Sequence, residues 1–291
     1  MAAGTAFDSS KAAFSRRQEQ DLPYTAAVTP GWRLRFGPPD RLYETYIASP
    51  TRPVFSFNSI SVQDSDLPNA GEKRYLLKLG GRKGFLRLHR AGRPDSGFQF
   101  DLQATFLGMF DRENSLDNIG WSGLYGAQVS WANGRGLALK LAVEHDSSHV
   151  GDEYIERTGR KRINYTRQEY VFGASLHPFK FWRIYGEVGR AFDLRNQAIQ
   201  EKWCAQGGLE FEADELFFND SAGLYAAVDV NAYEESGWDA DITAQAGFVL
   251  PIKSLNHTYR VGLNYRDGRS VIGEFSQFDE TYYGIGFWLE I

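Results

Sequence analysis

His145 and Ser147 are the residues of this chain whose types and spacing could do chemistry. Residues two apart on an extended strand stand about 7 Å apart on one face. At that separation His145 can take the Ser147 hydroxyl proton if their rotamers converge, giving a nucleophile and its base. Asn164 and Gln168 share the parity of Tyr170 and Phe172, and either amide could orient the imidazole from a neighbouring strand. A structural role competes for the same block. Ser148, His149 and the Gly151-Asp152-Glu153 turn can close a hairpin and satisfy backbone groups at a rim. A shared metal does not fit His145 and His149, because four residues of strand separate them by about 13 Å. No cofactor is expected, although Asp152 and Glu153 could hold calcium together with loop carbonyls.

The elements that must position these groups are strands. Leu137, Leu139, Leu141 and Val143 alternate with Lys140 and Glu144, and this parity carries His145, Ser147 and His149 onto the apolar face. The same two-residue period recurs in pieces of about ten residues along most of the chain. Phe98, Phe100, Leu102 and Phe106 oppose Gln99, Asp101 and Gln103; Ile242, Ala244 and Phe248 oppose Asp241, Thr243 and Gln245. Tyr283, Ile285, Phe287, Leu289 and Ile291 continue it to the last residue.

A closed antiparallel up-and-down transmembrane β-barrel of about 10–12 strands accounts for this pattern, with apolar residues toward lipid and polar ones toward the lumen. Ten strands follow from about Phe98, and a hairpin over roughly Lys73 to His89 would make twelve. Short connections at Ala132 to Arg135, His177 to Lys180 and Pro251 to Leu255 alternate with longer ones, as periplasmic turns alternate with external loops. The lumen set comprises Asp101, Lys140, Glu144, Arg183, Glu187, Glu210, Asp229, Asp241 and Arg260, with ion pairs such as Arg183 to Glu187 or Arg260 to Asp241. So narrow a barrel implies a filled or small-bore lumen. A soluble barrel with an apolar interior shows the same period, but the charged set and the bulky aromatic residues favour lipid outside.

Composition agrees. The chain has 291 residues, 15% aromatic, with 30 Gly and a formal charge of -5, and its mean hydropathy is -0.43. No run reaches the ~18 apolar residues of a spanning helix, whereas a barrel hides its membrane face in every second residue. No continuous basic face suits nucleic acid. The lone Cys204 cannot form an internal disulfide, which is compatible with an oxidising compartment. Residues 1–31 are small, polar and charged and are expected to form a flexible extension, leaving 32–291 as one barrel domain. Their start lacks an export signal, which an exported barrel would carry upstream or would have lost. Arg157, Arg160, Lys161 and Arg162 fall in an external loop, where lipid headgroup and lipopolysaccharide phosphates are natural counter-ions.

Four segments resemble a bacterial family of outer-membrane proteins, the domain of unknown function 1207. They are Arg41-Leu-Tyr-Glu-Thr-Tyr-Ile-Ala-Ser-Pro50, His145-Asp-Ser-Ser-His-Val-Gly-Asp-Glu-Tyr154, Arg162-Ile-Asn-Tyr165 and the ending from Gly273-Glu-Phe275 to Trp288. The resemblance runs from about Leu42 to Ile291 and implies fold and location without an activity. The C-terminal strand also resembles the signal by which barrel assembly machinery recognises its clients, with Ile291 in place of the usual Phe. His145 and Ser147 alone are similar to the His-x-Ser of outer-membrane phospholipases and lipid A deacylases, which place that pair on an outward strand near the external leaflet. In the phospholipase an amide on the adjoining strand orients the His, the role open to Asn164 or Gln168. The resemblance thus implies outer-membrane lipids as partners and ester hydrolysis as one reading, beside a structural or small-solute role.

Overall fold

The computed structural model describes residues 25–218, 221–252 and 254–291. Its strands are β1 (Thr25–Thr29), β2 (Trp32–Phe36), β3 (Phe55–Ser65), β4 (Lys73–Arg90), β5 (Arg93–Asp111), β6 (Asp117–Asn133), β7 (Leu137–Val150), β8 (Thr166–Phe179), β9 (Trp182–Arg195), β10 (Trp203–Phe217), β11 (Ala222–Tyr233), β12 (Ala240–Ile252), β13 (His257–Arg269) and β14 (Asp279–Glu290). One short helix, α1 (Asp152–Thr158), follows β7. Strands β3 to β14 pair antiparallel in sequence order, and β14 returns to β3 through pairs such as Leu289 with Phe55. This is a closed twelve-stranded barrel.

The two remaining strands lie beside it. β2 pairs with Leu86–Arg90 of β4, on the edge whose other half, Lys73–Lys78, pairs with β3. β1 then pairs with β2. Part of the expected extension is therefore an ordinary hairpin, turning at Gly31 with φ 88°; residues 1–24 lie outside the described residues.

One element departs from the sequence expectation. Lys73 to His89 is a single strand, and the twelfth strand is Phe55–Ser65. Gly80-Gly81 looks like a turn, but a Cβ at Gly80 would meet Thr105 Oγ1 at 2.5 Å and the Ala104 carbonyl, so the glycine marks close approach of β5. β3 escapes notice because its inward set changes character, from Ser56 and Asn58 to Ile60 and Val62.

Parity sorts the wall. Leu141 (59%), Leu263 (64%) and Ile285 (63%) stand exposed on the outside. Every lumen residue expected from sequence faces inward, and Asp101, Arg183, Glu210, Asp229, Asp241 and Arg260 are all buried. Their partners differ from those expected. Arg183 pairs with Glu210 at 2.8 Å, Lys140 with Glu187 at 2.7 Å, Arg260 with Glu212 at 2.7 Å, and Asp241 with Arg269 at 3.2 Å. Register explains this. Arg183 and Glu210 are directly opposite on β9 and β10, whereas Glu187 lies about 13 Å along the strand from Arg183.

The lumen is filled from both ends. At the end carrying the C terminus, the segment between β2 and β3 runs inside, burying Leu42, Tyr43, Tyr46, Ile47, Ala48 and Val54. Tyr46 stacks on Tyr185 with centroids 3.7 Å apart and donates to Glu187 at 2.6 Å. Glu210 accepts from the Ile47 N–H, Arg183 donates to the Glu44 and Thr45 carbonyls, and Arg82 donates to that of Tyr43. At the far rim the loop between β13 and β14 tucks in, burying Ile272 and Phe275 against Ile60, Leu107, Met109 and Tyr154. Connections at this rim are longer than the turns at the other end, as the alternation of loops requires.

Candidate functional site

One group of outward polar residues lies on β6 to β9, within the half of the wall next to the far rim, and another, Ser59, Ser61 and Gln63, lies on β3. Pairing aligns the first group in rows. Tyr125 of β6 sits opposite His145 of β7, His145 opposite Gln168 of β8, and Gln168 opposite Asp193 of β9. One row nearer the rim, Ser147 is opposite Gly123 and Thr166, and beyond it His149 is opposite Trp121. Cross-strand neighbours lie about 5 Å apart, so these rows form one patch.

Within the patch, Ser147 Oγ is 3.4 Å from His149 Nε2. The imidazole of His149 stacks on Trp121, with centroids 4.3 Å apart, and that of His145 stacks on Tyr125 at the same distance. Ser147 therefore bonds to His149 and not to His145. The Gln168 amide donates to Asp193 at 2.7 Å. Asp193 reaches the outside because β9 carries an extra residue at Phe192, where the register with β8 slips; a bulge of this kind re-aims the side chain beside it. Asn164 stands in the loop before β8 with φ 56° and is exposed, outside the rows.

An open cavity of about 450 Å³ adjoins His149. Phe106, Phe110 and Trp121 supply its apolar side, and Asp152, Glu153 and Arg162 its polar rim. Gly151 lets the chain turn here, since a Cβ would strike the Asn118 carbonyl, and its N–H donates to Ile119 at 2.9 Å. The cavity thus opens between the apolar wall and the charged rim.

The remaining rim residues knit the far end together. Ser148 faces inward, donates to the Trp121 carbonyl at 3.2 Å and accepts from the Glu274 N–H at 2.9 Å. The buried Glu274 carboxylate accepts from the backbone N–H of Ile163 and Tyr165. Burial raises the Tyr154 phenol above its ordinary value, which keeps it a neutral donor to the Pro68 carbonyl. Of the cationic loop, Arg157 is taken by Asp117 and Asp111 at 3.0 and 3.3 Å, and Arg160 by the Glu274 carbonyl and the rings of Phe275 and Phe278. Lys161 and Arg162 are exposed, Arg162 pairing with Asp152 at 2.8 Å. Among the described residues no three His, Cys, Asp or Glu side chains gather as a metal site requires.

Sequence parity placed His145, Ser147, His149, Asn164 and Gln168 on one face; in the structure Asn164 lies in the loop before β8 and the other four share the outward face. Parity missed Trp121, Tyr125 and Asp193. Trp121 and Tyr125 were legible as outward aromatics on the preceding strand, but only register sets them under the two imidazoles. The bulge at Phe192 has no sequence signal.

Solved structures share this architecture. Outer membrane phospholipase A from Escherichia coli matches with a TM-score of 0.56 at 12% identity, over 82% of this chain and 94% of that one. The Salmonella typhi outer membrane phospholipase dimer with bound calcium matches with a TM-score of 0.54 at 15% identity, over 86% and 95%. At these identities the likeness is one of fold, a closed antiparallel β-barrel with its apolar face outward. No curated protein sequence matches the chain. A family model matches residues 32–290, and the chain belongs to that family, protein of unknown function DUF1207.

Proposed function

We propose that this barrel works through its outer wall and not its lumen, hydrolysing lipid esters in the external leaflet with Ser147 as nucleophile and His149 as base. The observation that carries the reading is the Ser147 to His149 hydrogen bond on the lipid-facing surface, beside a cavity with an apolar side and a charged rim. A His in contact with hydrocarbon is costly unless it has partners or a task, and two of them stand here on aromatic rings. In this reading the far rim is external and the C terminus periplasmic. Phospholipids and lipopolysaccharide are the partners, with Arg162 and Lys161 toward their phosphates, and β14 is the strand that assembly machinery recognises. A phospholipase with the same fold supports the reading without transferring its residues.

The chemistry follows from the pair. Ser147 Oγ attacks the ester carbonyl while His149 takes its proton, and that proton goes to the leaving alkoxide, releasing a lysolipid. Water, deprotonated by His149, then attacks the acyl-serine, and the proton passes back to Ser147 Oγ as the C–O bond breaks and the fatty acid leaves. Trp121 holds the imidazole plane throughout.

The test is fatty-acid release from phospholipid and lipopolysaccharide by detergent-refolded protein, with wild type and Ser147→Ala both shown to be folded by heat-shift gels. Release by wild type and its loss in the variant is the expected result. A well-folded wild type that releases nothing, with calcium present and absent, overturns the hydrolase reading and leaves a closed structural barrel.

A further inference from the structure

Between the two seals of the lumen, the wall carries polar groups with no bonding partner. Tyr225 of β11 lies opposite Gly247, Gly247 opposite Gly262, Gly262 opposite Gly286, and Gly286 opposite Asn58. Three adjacent strands therefore present glycines inward, with the Trp288 ring and the Asn58 amide packed over Gly286. Gln245 and Asn264, paired with each other, border this row on the side of the far rim. The Tyr225 hydroxyl and the amide oxygens of Asn58, Gln245 and Asn264 are buried without partners.

The lumen segment adds two cations. Arg52, 3% exposed, follows a turn closed by its own N–H on the Ser49 carbonyl. Its Nη1 reaches the Tyr46 carbonyl at 3.4 Å, while Nε and Nη2 have no partner. Lys78 is equally buried, and its Nζ donates to the Pro50 carbonyl at 3.0 Å. The two charges act on each other, and Arg52 lies within electrostatic reach of Tyr225. Neighbouring carboxylates are already committed: Glu290 to Arg41 and Arg260, Glu212 to Arg260, Glu210 to Arg183, and Asp229 to Tyr185, Gln206 and Asn231. Of these, Asp229 is held only by neutral donors and acts on Lys78, so it offsets one of the two buried cations and the other still calls for a counter-charge.

We infer that the sealed lumen holds a phosphate group, free or carried by a small metabolite, between Arg52, Lys78 and Tyr225. Guanidinium, ammonium and hydroxyl donors supply hydrogen bonds from three sides, which suits a tetrahedral oxyanion with several acceptor oxygens. The amides of Gln245 and Asn264 stand where hydroxyls of a metabolite would find partners. This site is independent of the outer-wall chemistry.

The test is thermal unfolding of detergent-refolded full-length protein in inorganic phosphate, in glycerol phosphate and in chloride at equal ionic strength. The midpoint of wild type should rise saturably with phosphate and not with chloride, as linked binding to the folded state requires. A larger rise with glycerol phosphate assigns the site to a metabolite; an equal or smaller one assigns it to the free ion. Tyr225→Phe keeps the ring and removes one donor, so it should weaken the apparent affinity about five- to tenfold. Arg52→Gln with Lys78→Gln should abolish the response. A wild-type midpoint identical in phosphate and chloride overturns the inference, and so does an unchanged response in Tyr225→Phe, which decides the matter even if the double variant fails to fold.

Discussion

Arg41 and Glu290, 249 positions apart, form an ion pair at 3.0 Å that ties the lumen segment to the end of the last strand. Glu290 also takes Arg260 at 3.1 Å and the Thr45 hydroxyl. The segment can reach this final seating only when β14 has arrived, so closure of the barrel and filling of its lumen are coupled through one carboxylate. Glu290→Ala leaves two cations short of a partner in a largely buried place, a loss of order 3 kcal/mol. The expected result is a lower heat-shift temperature with barrel mobility retained, and Glu290→Gln should lie between the variant and wild type.

The same segment fills the lumen and should therefore set the conductance. Its buried rings and its bonds to Glu187, Glu210, Arg183 and Lys78 span the interior from wall to wall. Wild type in a planar bilayer should show no steady ion current. Excision of residues 38–53 and joining of the ends with a short flexible linker should bring single-channel steps, because the wall left behind is lined with charge. A wild type that conducts as well as the excised protein would mean that the segment leaves the lumen in the membrane.

At the far rim, Glu274 binds the two N–H groups of Ile163 and Tyr165 and so fastens the long connection after α1. Hydrogen bonds to a charged acceptor contribute about 1.5–3 kcal/mol each. Glu274→Ala should release that connection without unfolding the barrel. Limited proteolysis reads it, since cleavage between Arg157 and Arg162 should become much faster in the variant while the heat shift is kept.

How far the sequence could be read follows from which forces are local. The outward face of β7 was legible because a two-residue period leaves a lipid-facing strand no freedom about which residues point out, and that period carried His145, Ser147 and His149 together. The ion pairs were not legible, because register sets them and register is a relation between strands. Arg183 finds Glu210 across the sheet, not Glu187 along it. The interior segment has no period at all. Tyr43 and Tyr46 read as scattered aromatics until the wall supplies Tyr185 to stack on and Glu187 to bond. Gly80 sits inside one long strand where a hairpin was expected, and the close approach of β5, not a turn, requires it.

The two histidines of the outer patch make different predictions. His149 bonds to Ser147 and adjoins the cavity, while His145 stacks on Tyr125 in the row of Gln168 and Asp193. If lipid ester hydrolysis is the activity, His149→Asn should lower its rate at least about a hundredfold, the usual scale of a general base. His145→Asn should lower it far less. Trp121→Ala should fall between, because the imidazole of His149 loses the ring that fixes its plane. Rates of fatty-acid release from the three folded variants give the order. The reverse order, with His145 the more damaging site, would mean that Ser147 turns toward His145 when substrate binds, and would make Gln168 and Asp193 the groups that orient the base.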